Sequence, residues 1–127
     1  MSRVILDASA VLALLGNEPG AELVQRMLPD SVILSVNLAE VVTRLALIGM
    51  PDYEIAEALN LLGLEVLPFD SELAFSSGFM APETKPQGLS LGDRACLALG
   101  LQTGLTVLTA DRKWGKLDLP VDIQLIR

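Results

Sequence analysis

Three short runs in this chain are apolar at nearly every position: Val4-Ile5-Leu6, Val32-Ile33-Leu34 and Thr106-Val107-Leu108-Thr109. A strand with one face in water alternates apolar and polar residues, because successive side chains point to opposite faces. Runs without that alternation need cover on both faces, as in parallel sheets flanked by helices. Leu64-Glu65-Val66-Leu67 and Ile123-Gln124-Leu125-Ile126 read as two further strands.

Between the runs lie helical patterns. Leu38, Val41, Val42, Leu45 and Ile48 form a one-sided stripe ended by Gly49 and Pro51. Ile55, Leu59 and Leu62 form another, with Gly63 as the C-terminal glycine. Leu91 to Thr103 is apolar nearly all round, which predicts a central buried helix stopped at Gly104. Shorter helices are expected over Ala8–Leu15, Gly20–Leu28 and Ser71–Met80, and a loop over Pro82–Gly88. This alternation predicts one α/β domain over residues 1–127, with about five parallel strands and helices on both faces.

A chain of 127 residues that is 51% hydrophobic and 20% charged can bury a sizeable core. Its longest uncharged stretch, Ala95 to Ala110, is interrupted by Gln102-Thr103-Gly104 and too short for a membrane span. Ser2-Arg3 leads straight into the first strand, so no signal peptide is expected. The single cysteine, Cys96, has no internal disulfide partner, so a core role for it and a cytoplasmic location for the protein are expected.

Histidine is absent, which removes Ser-His-Asp and Cys-His nucleophile pairs and His-based zinc sites. The formal charge of −7 means that the surface as a whole repels nucleic acid. Chemistry must come from carboxylates, hydroxyls, Lys and Arg, or from a metal that carboxylates hold.

Four acids are predicted to share one edge of the sheet. In a parallel α/β fold the C-terminal ends of strands and the N-terminal ends of helices meet there, and such folds place their sites on that edge. Asp7 ends the first strand and Asp111 follows the fourth. Glu40 is expected in the first turn of the helix after the second strand, and Asp93 in the first turn of the helix before the fourth. Each also has a local use. Asp7 suits an N-cap, Asn37/Glu40 and Ser90/Asp93 have capping-box spacing, and Asp111 suits a turn. Clustering several carboxylates costs like-charge repulsion, which local roles do not explain. A divalent cation such as Mg²⁺ or Mn²⁺ relieves that repulsion and can acidify a water for phosphodiester hydrolysis.

Other residues qualify as helpers. Ser9 and Thr109 stand two residues from Asp7 and Asp111, within reach of a carboxylate or a metal-bound water. Arg94, Arg112, Lys113 and Lys116 follow Asp93 or Asp111 and are candidates for holding a phosphodiester backbone, with a solvated turn as the alternative. Arg44, four residues after Glu40, suits an intrahelical ion pair. Trp114 suits packing better than base stacking.

Four segments together resemble the PIN-domain family, and within it the VapC-type toxins of bacterial toxin–antitoxin pairs. They are Val4-Ile5-Leu6-Asp7-Ala8-Ser9, Ser35-Val36-Asn37-Leu38-Ala39-Glu40-Val41-Val42, Leu89-Ser90-Leu91-Gly92-Asp93-Arg94-Ala95 and Leu108-Thr109-Ala110-Asp111-Arg112. The resemblance implies a Mg²⁺- or Mn²⁺-dependent endoribonuclease. Asp7, Glu40, Asp93 and Asp111 match the family's acidic site, and Ser9 and Thr109 match hydroxyl positions often found beside it. It also implies a homodimer inhibited by an antitoxin whose other end binds operator DNA.

Two other classes fit parts of the pattern. A phosphoacceptor receiver domain would use Asp70 after Leu67-Pro68-Phe69, although Asp70 reads better as a helix N-cap and the acidic pair after the first strand is missing. A non-catalytic interaction module would keep the fold and work by binding.

Overall fold

The computed structural model describes residues 3–127; Met1 and Ser2, where the lack of a leader was read, lie outside the described residues. The chain alternates strand and helix as follows. β1 (Val4–Leu6) is followed by α1 (Ala8–Leu15) and α2 (Ala21–Met27), then β2 (Ser31–Leu34), α3 (Ser35–Leu47) and α4 (Asp52–Leu62). β3 (Glu65–Leu67) precedes α5 (Ser71–Phe79), the short α6 (Ala81–Thr84) and α7 (Leu91–Thr103), and β4 (Thr106–Thr109) and β5 (Ile123–Leu125) complete the order.

All five strands pair in parallel in the order β3-β2-β1-β4-β5. The three apolar runs are therefore the central strands, and the two runs carrying polar residues are the edges. Alternate residues of the central strands feed two cores. Val4, Leu6, Ile33 and Leu108 pack against α1, α2, α3 and α4. Ile5, Val32, Leu34 and Val107 pack on the other face against α5 and α7. Residues Ala95 to Gly100 of α7 are all buried, as its all-round apolar character predicts.

Two expectations need correction. Pro82–Gly88 is not a plain loop but holds the end of α6 and a 3-10 turn over Lys85–Gln87. Proline is tolerated in a first helical turn because its missing N–H would have no partner there. The Thr84 hydroxyl, buried, donates to the carbonyl of Met80 at 2.8 Å and ties the segment down. Second, α3 starts at Ser35 because β2 runs into it without a loop, through extended Leu34. Asn37 therefore lies inside the helix rather than capping it, and Glu40 falls in the second turn.

Candidate active site

The winding of the sheet reverses at one place. From β1 the chain moves outward through β2 and β3, then returns to lay β4 and β5 on the other side of β1. Ligand sites of open α/β sheets lie outside the C-terminal ends of the strands at such a reversal. Asp7 leaves β1 there, and Thr109, Ala110 and Asp111 leave β4 beside it.

Asp7 caps α1, its Oδ1 accepting from the Ala10 N–H at 2.9 Å. The same oxygen accepts from the Ser9 hydroxyl at 2.7 Å, and Oδ2 accepts from the Thr109 hydroxyl at 2.7 Å. The two hydroxyl oxygens, 3.2 Å apart, accept in turn from the backbone N–H of Ala110 (2.9 Å) and of Asp111 (3.0 Å). A closed network thus joins the exit of β1 to the exit of β4. Only 4% of Asp7 is exposed. Burial pushes its carboxyl up to about 6, against the pull of Ser9, Thr109 and the Ala10 N–H, and the charge of Asp93 adds to the rise.

Glu40 reaches the site from α3. Its Oε1 accepts from the Asn37 amide at 2.9 Å, and its carboxylate lies against Gly92 of α7. Burial raises its proton affinity, the Asn37 hydrogen bond lowers it and Asp93 raises it. Among the described residues no ion pair joins Glu40 to Arg44, contrary to expectation, because the carboxylate turns toward Asn37 and α7. Asp93 and Ser90 form the expected capping box: Asp93 Oδ2 accepts from the Ser90 N–H at 2.9 Å, and the Asp93 N–H donates to Ser90 Oγ at 3.2 Å.

The charge of Asp93, in the first turn of α7, therefore bears on both Asp7 and Glu40. Buried Cys96, one turn further along that helix, has its thiol pushed well up by burial and then by the charges of Asp7, Asp93 and Glu40. Asp111 is set apart. Its Oδ1 accepts from the Lys113 N–H at 3.0 Å, its Oδ2 lies 4.0 Å from Lys113 Nζ, and it touches the network only through its backbone.

Among the described residues no group of three or more acidic or cysteine side chains is arranged to hold a metal ion directly. A tight cage of four acids is thus not what the fold builds. The donor set still fits a hard divalent cation, since its side-chain donors are all oxygens and Mg²⁺ is usually bound through one or two carboxylates with waters filling the rest. Asp7 and Glu40 both feel the negative charge of Asp93, and no side-chain cation is among the charges that shift either of them.

The expected basic residues divide. Arg112, Lys113 and Lys116 are exposed and, with Pro86 and Gln87, line a cleft of ≈ 440 Å³ next to Asp111. Arg94 is different: its Nε donates to the Ser77 carbonyl at 3.0 Å and Nη1 to the Leu89 carbonyl at 3.4 Å. Those bonds make it a strut between α5 and the approach to α7 rather than a free phosphate ligand. Trp114 is 1% exposed and packs in the core, as expected. Sequence reading paired Asn37 with Glu40 only as a capping box, and it missed both their side-chain hydrogen bond and Gly92 as a neighbour. One signal was available, because Asn37, Val41 and Leu45 share the buried row of α3 at helical spacing, and a polar residue on an apolar row calls for a partner.

No curated protein matches the chain. Solved structures do. The DNA-bound VapBC from Salmonella typhimurium matches at 20% identity and TM-score 0.77, covering 100% of both chains. VapBC-1 from nontypeable Haemophilus influenzae matches at 23% and 0.73, covering 97% of each. VapBC-5 from Mycobacterium tuberculosis, a member of the VapBC family of toxin–antitoxin systems, matches at 21% and 0.60, covering 100% of this chain and 99% of its own. At these identities the likeness concerns the fold. The PIN domain family model matches residues 4–119, nearly the whole length that builds the sheet and its acidic edge, and the chain belongs to the PIN domain family.

Proposed function

We propose that this protein is a metal-dependent endoribonuclease and the toxin of a toxin–antitoxin pair. The observation that carries the reading is the setting of Asp7: a buried carboxylate at the reversal point of the sheet, fixed through both oxygens and under the charge of Asp93. A structural cap needs one of those hydrogen bonds. The remaining two, and the repulsion from Asp93, fit a group held ready for a cation.

In this reading one or two of the carboxylates of Asp7, Glu40 and Asp93 would hold Mg²⁺ or Mn²⁺ directly, with waters filling the rest and Asp111 completing the acidic rim. The bound cation supplies a water acidic enough to attack the phosphodiester and positive charge for the phosphate. A carboxylate offers about four acceptor directions. Three are taken at Asp7, which fixes the carboxylate and leaves one direction to spare. Ser9 and Thr109 keep the charged form of Asp7 within reach by donating to it, and Arg112, Lys113 and Lys116 receive the RNA backbone. Arg94 supports the approach to α7 from behind.

The VapBC complexes among the structural relatives support an antitoxin as partner. We extend this to a homodimer acting in the cytoplasm, where Cys96 stays reduced; no helix of the described residues is long and apolar enough to cross a membrane.

The receiver-domain alternative loses its footing. Asp70 spends Oδ1 on the Leu73 N–H at 2.9 Å and stands at the exit of an edge strand. The sheet order 3-2-1-4-5 also differs from the 2-1-3-4-5 order of CheY-like folds.

The test is cleavage of a mixed RNA pool by protein freed of any co-purifying partner, in Mg²⁺, in Mn²⁺ and in EDTA. Discrete cuts that need metal and vanish in Asp7→Asn support the reading. Full cleavage by Asp7→Asn, or none by folded wild-type protein that binds the ion, overturns it in favour of another mechanism or a binding module.

A further inference from the structure

Glu40 comes from one helix and Asp93 from another, so the spacing of the acidic site depends on how α3 is fixed to the start of α7. Among the described residues a single side chain hydrogen-bonds α3 to the start of α7. The Asn37 carboxamide nitrogen donates to Glu40 Oε1 at 2.9 Å and to the Gly92 carbonyl at 3.0 Å. Both partners are acceptors, so the orientation of the amide follows from the network. Asn37 is 1% exposed, and its Oδ1 is buried without a donor. An unpaired buried acceptor is a cost to folding, so stability alone does not account for an asparagine in a row otherwise filled by Val41 and Leu45.

Gly92 imposes a second constraint on the carboxylate. A Cβ at Gly92 would overlap the Glu40 carboxylate. The backbone of α7 at this point is helical, so it is the missing side chain that matters rather than any unusual dihedral. Gly92 thus leaves the space that Glu40 fills, and Asn37 holds Glu40 in it.

We infer that Asn37 is the positioning residue of Glu40, and that Gly92 is the seat it positions that carboxylate against. This deepens the nuclease reading above and rests on it for its consequence, which is the affinity of the acidic site for its cation. Partners that orient metal ligands are worth about 10–100-fold in affinity when removed. Asn37→Ala leaves Glu40 Oε1 without its donor and frees the carboxylate to swing into solvent. Gly92→Ala pushes it off its seat by filling that space.

The experiment has two readouts on wild type, Asn37→Ala and Gly92→Ala, each first shown to be folded by circular dichroism. Crystal structures without metal report where the Glu40 carboxylate sits. Titration with Mn²⁺, followed by the paramagnetic signal of the free ion, reports affinity. Displacement of Glu40 from residue 92 together with a loss of about ten-fold or more in Mn²⁺ affinity is expected for both variants. A carboxylate that stays in place in Asn37→Ala, or Mn²⁺ affinity within two-fold of wild type in both variants, overturns the inference. Should Asn37→Ala fail to fold, Gly92→Ala decides by the same criteria. Wild-type protein that binds no Mn²⁺ overturns the nuclease reading instead, while the metal-free structures still decide whether Asn37 positions Glu40.

Discussion

Asp7 and Asp70 begin from the same local motif. Each follows a parallel strand, each has extended backbone, and each caps the next helix by accepting the third residue's N–H at 2.9 Å. Their surroundings differ. Asp7 leaves a central strand, is buried, and gains the Ser9 and Thr109 hydroxyls. Asp70 leaves the edge strand β3 and is exposed. The local sequence makes both into caps, and only the position in the sheet makes one of them a site.

The sharpest break between the two is catalytic. Asp7→Asn keeps the cap, since Asn and Asp serve about equally at that position, but removes a charge from the cluster. It should lower the cleavage rate by about 10³-fold, or ~4 kcal/mol, while Asp70→Asn leaves the rate within about two-fold. Equal losses in a single-turnover assay would mean that the comparison is wrong.

Stability should move the other way. The Asp7 carboxyl rises from 3.8 to about 6 on folding, chiefly through burial, so the folded chain holds that proton more tightly than the unfolded one. The contribution is fully present below pH 3.8 and is lost as pH rises through about 6, amounting to about 3 kcal/mol. Metal-free Asp7→Asn should lack this loss and be more stable than wild type at pH 8, as urea melts at pH 4, 6 and 8 would show. Asp70→Asn should follow the wild-type profile.

A smaller effect tests the hydroxyls. Thr109→Val removes the donor to Asp7 Oδ2 while nearly keeping the side-chain shape. It should raise the Asp7 pKa further and cost about ten-fold in rate at pH 7, with part of the loss recovered at pH 8.5. A pH-independent loss would point to packing instead. The smallest change is at the edge: Asp70→Ala removes only a cap and should cost about 1 kcal/mol in melting experiments with cleavage intact.

Much of the fold was legible because burial on both faces writes itself into composition. The central strands lack alternation, the edges carry Glu65 and Gln124, and Gly63 and Gly104 end their helices in left-handed conformations as expected. Local hydrogen bonding was legible too, at Asp7, Asp70 and the Ser90/Asp93 box. Where strand meets helix without a loop, no residue marks the junction. The start of α3 was therefore placed late, and Asn37 was read as a cap. Pro82 and Pro86 suggested a loop because their pattern does not reveal a buried Thr84.

The sequence by itself determined the strands, the glycine-marked ends of α4 and α7 and the set of acids available for chemistry, since these depend on neighbours within a few residues. Tertiary structure alone decided which acids act together. The order β3-β2-β1-β4-β5 puts Thr109 beside Asp7, and the packing of α3 on α7 seats Glu40 on Gly92. It also ties Arg94 to backbone carbonyls and leaves Asp111 with its own turn. Those contacts join residues up to about a hundred positions apart, and only the closing of the sheet brings them within hydrogen-bonding distance.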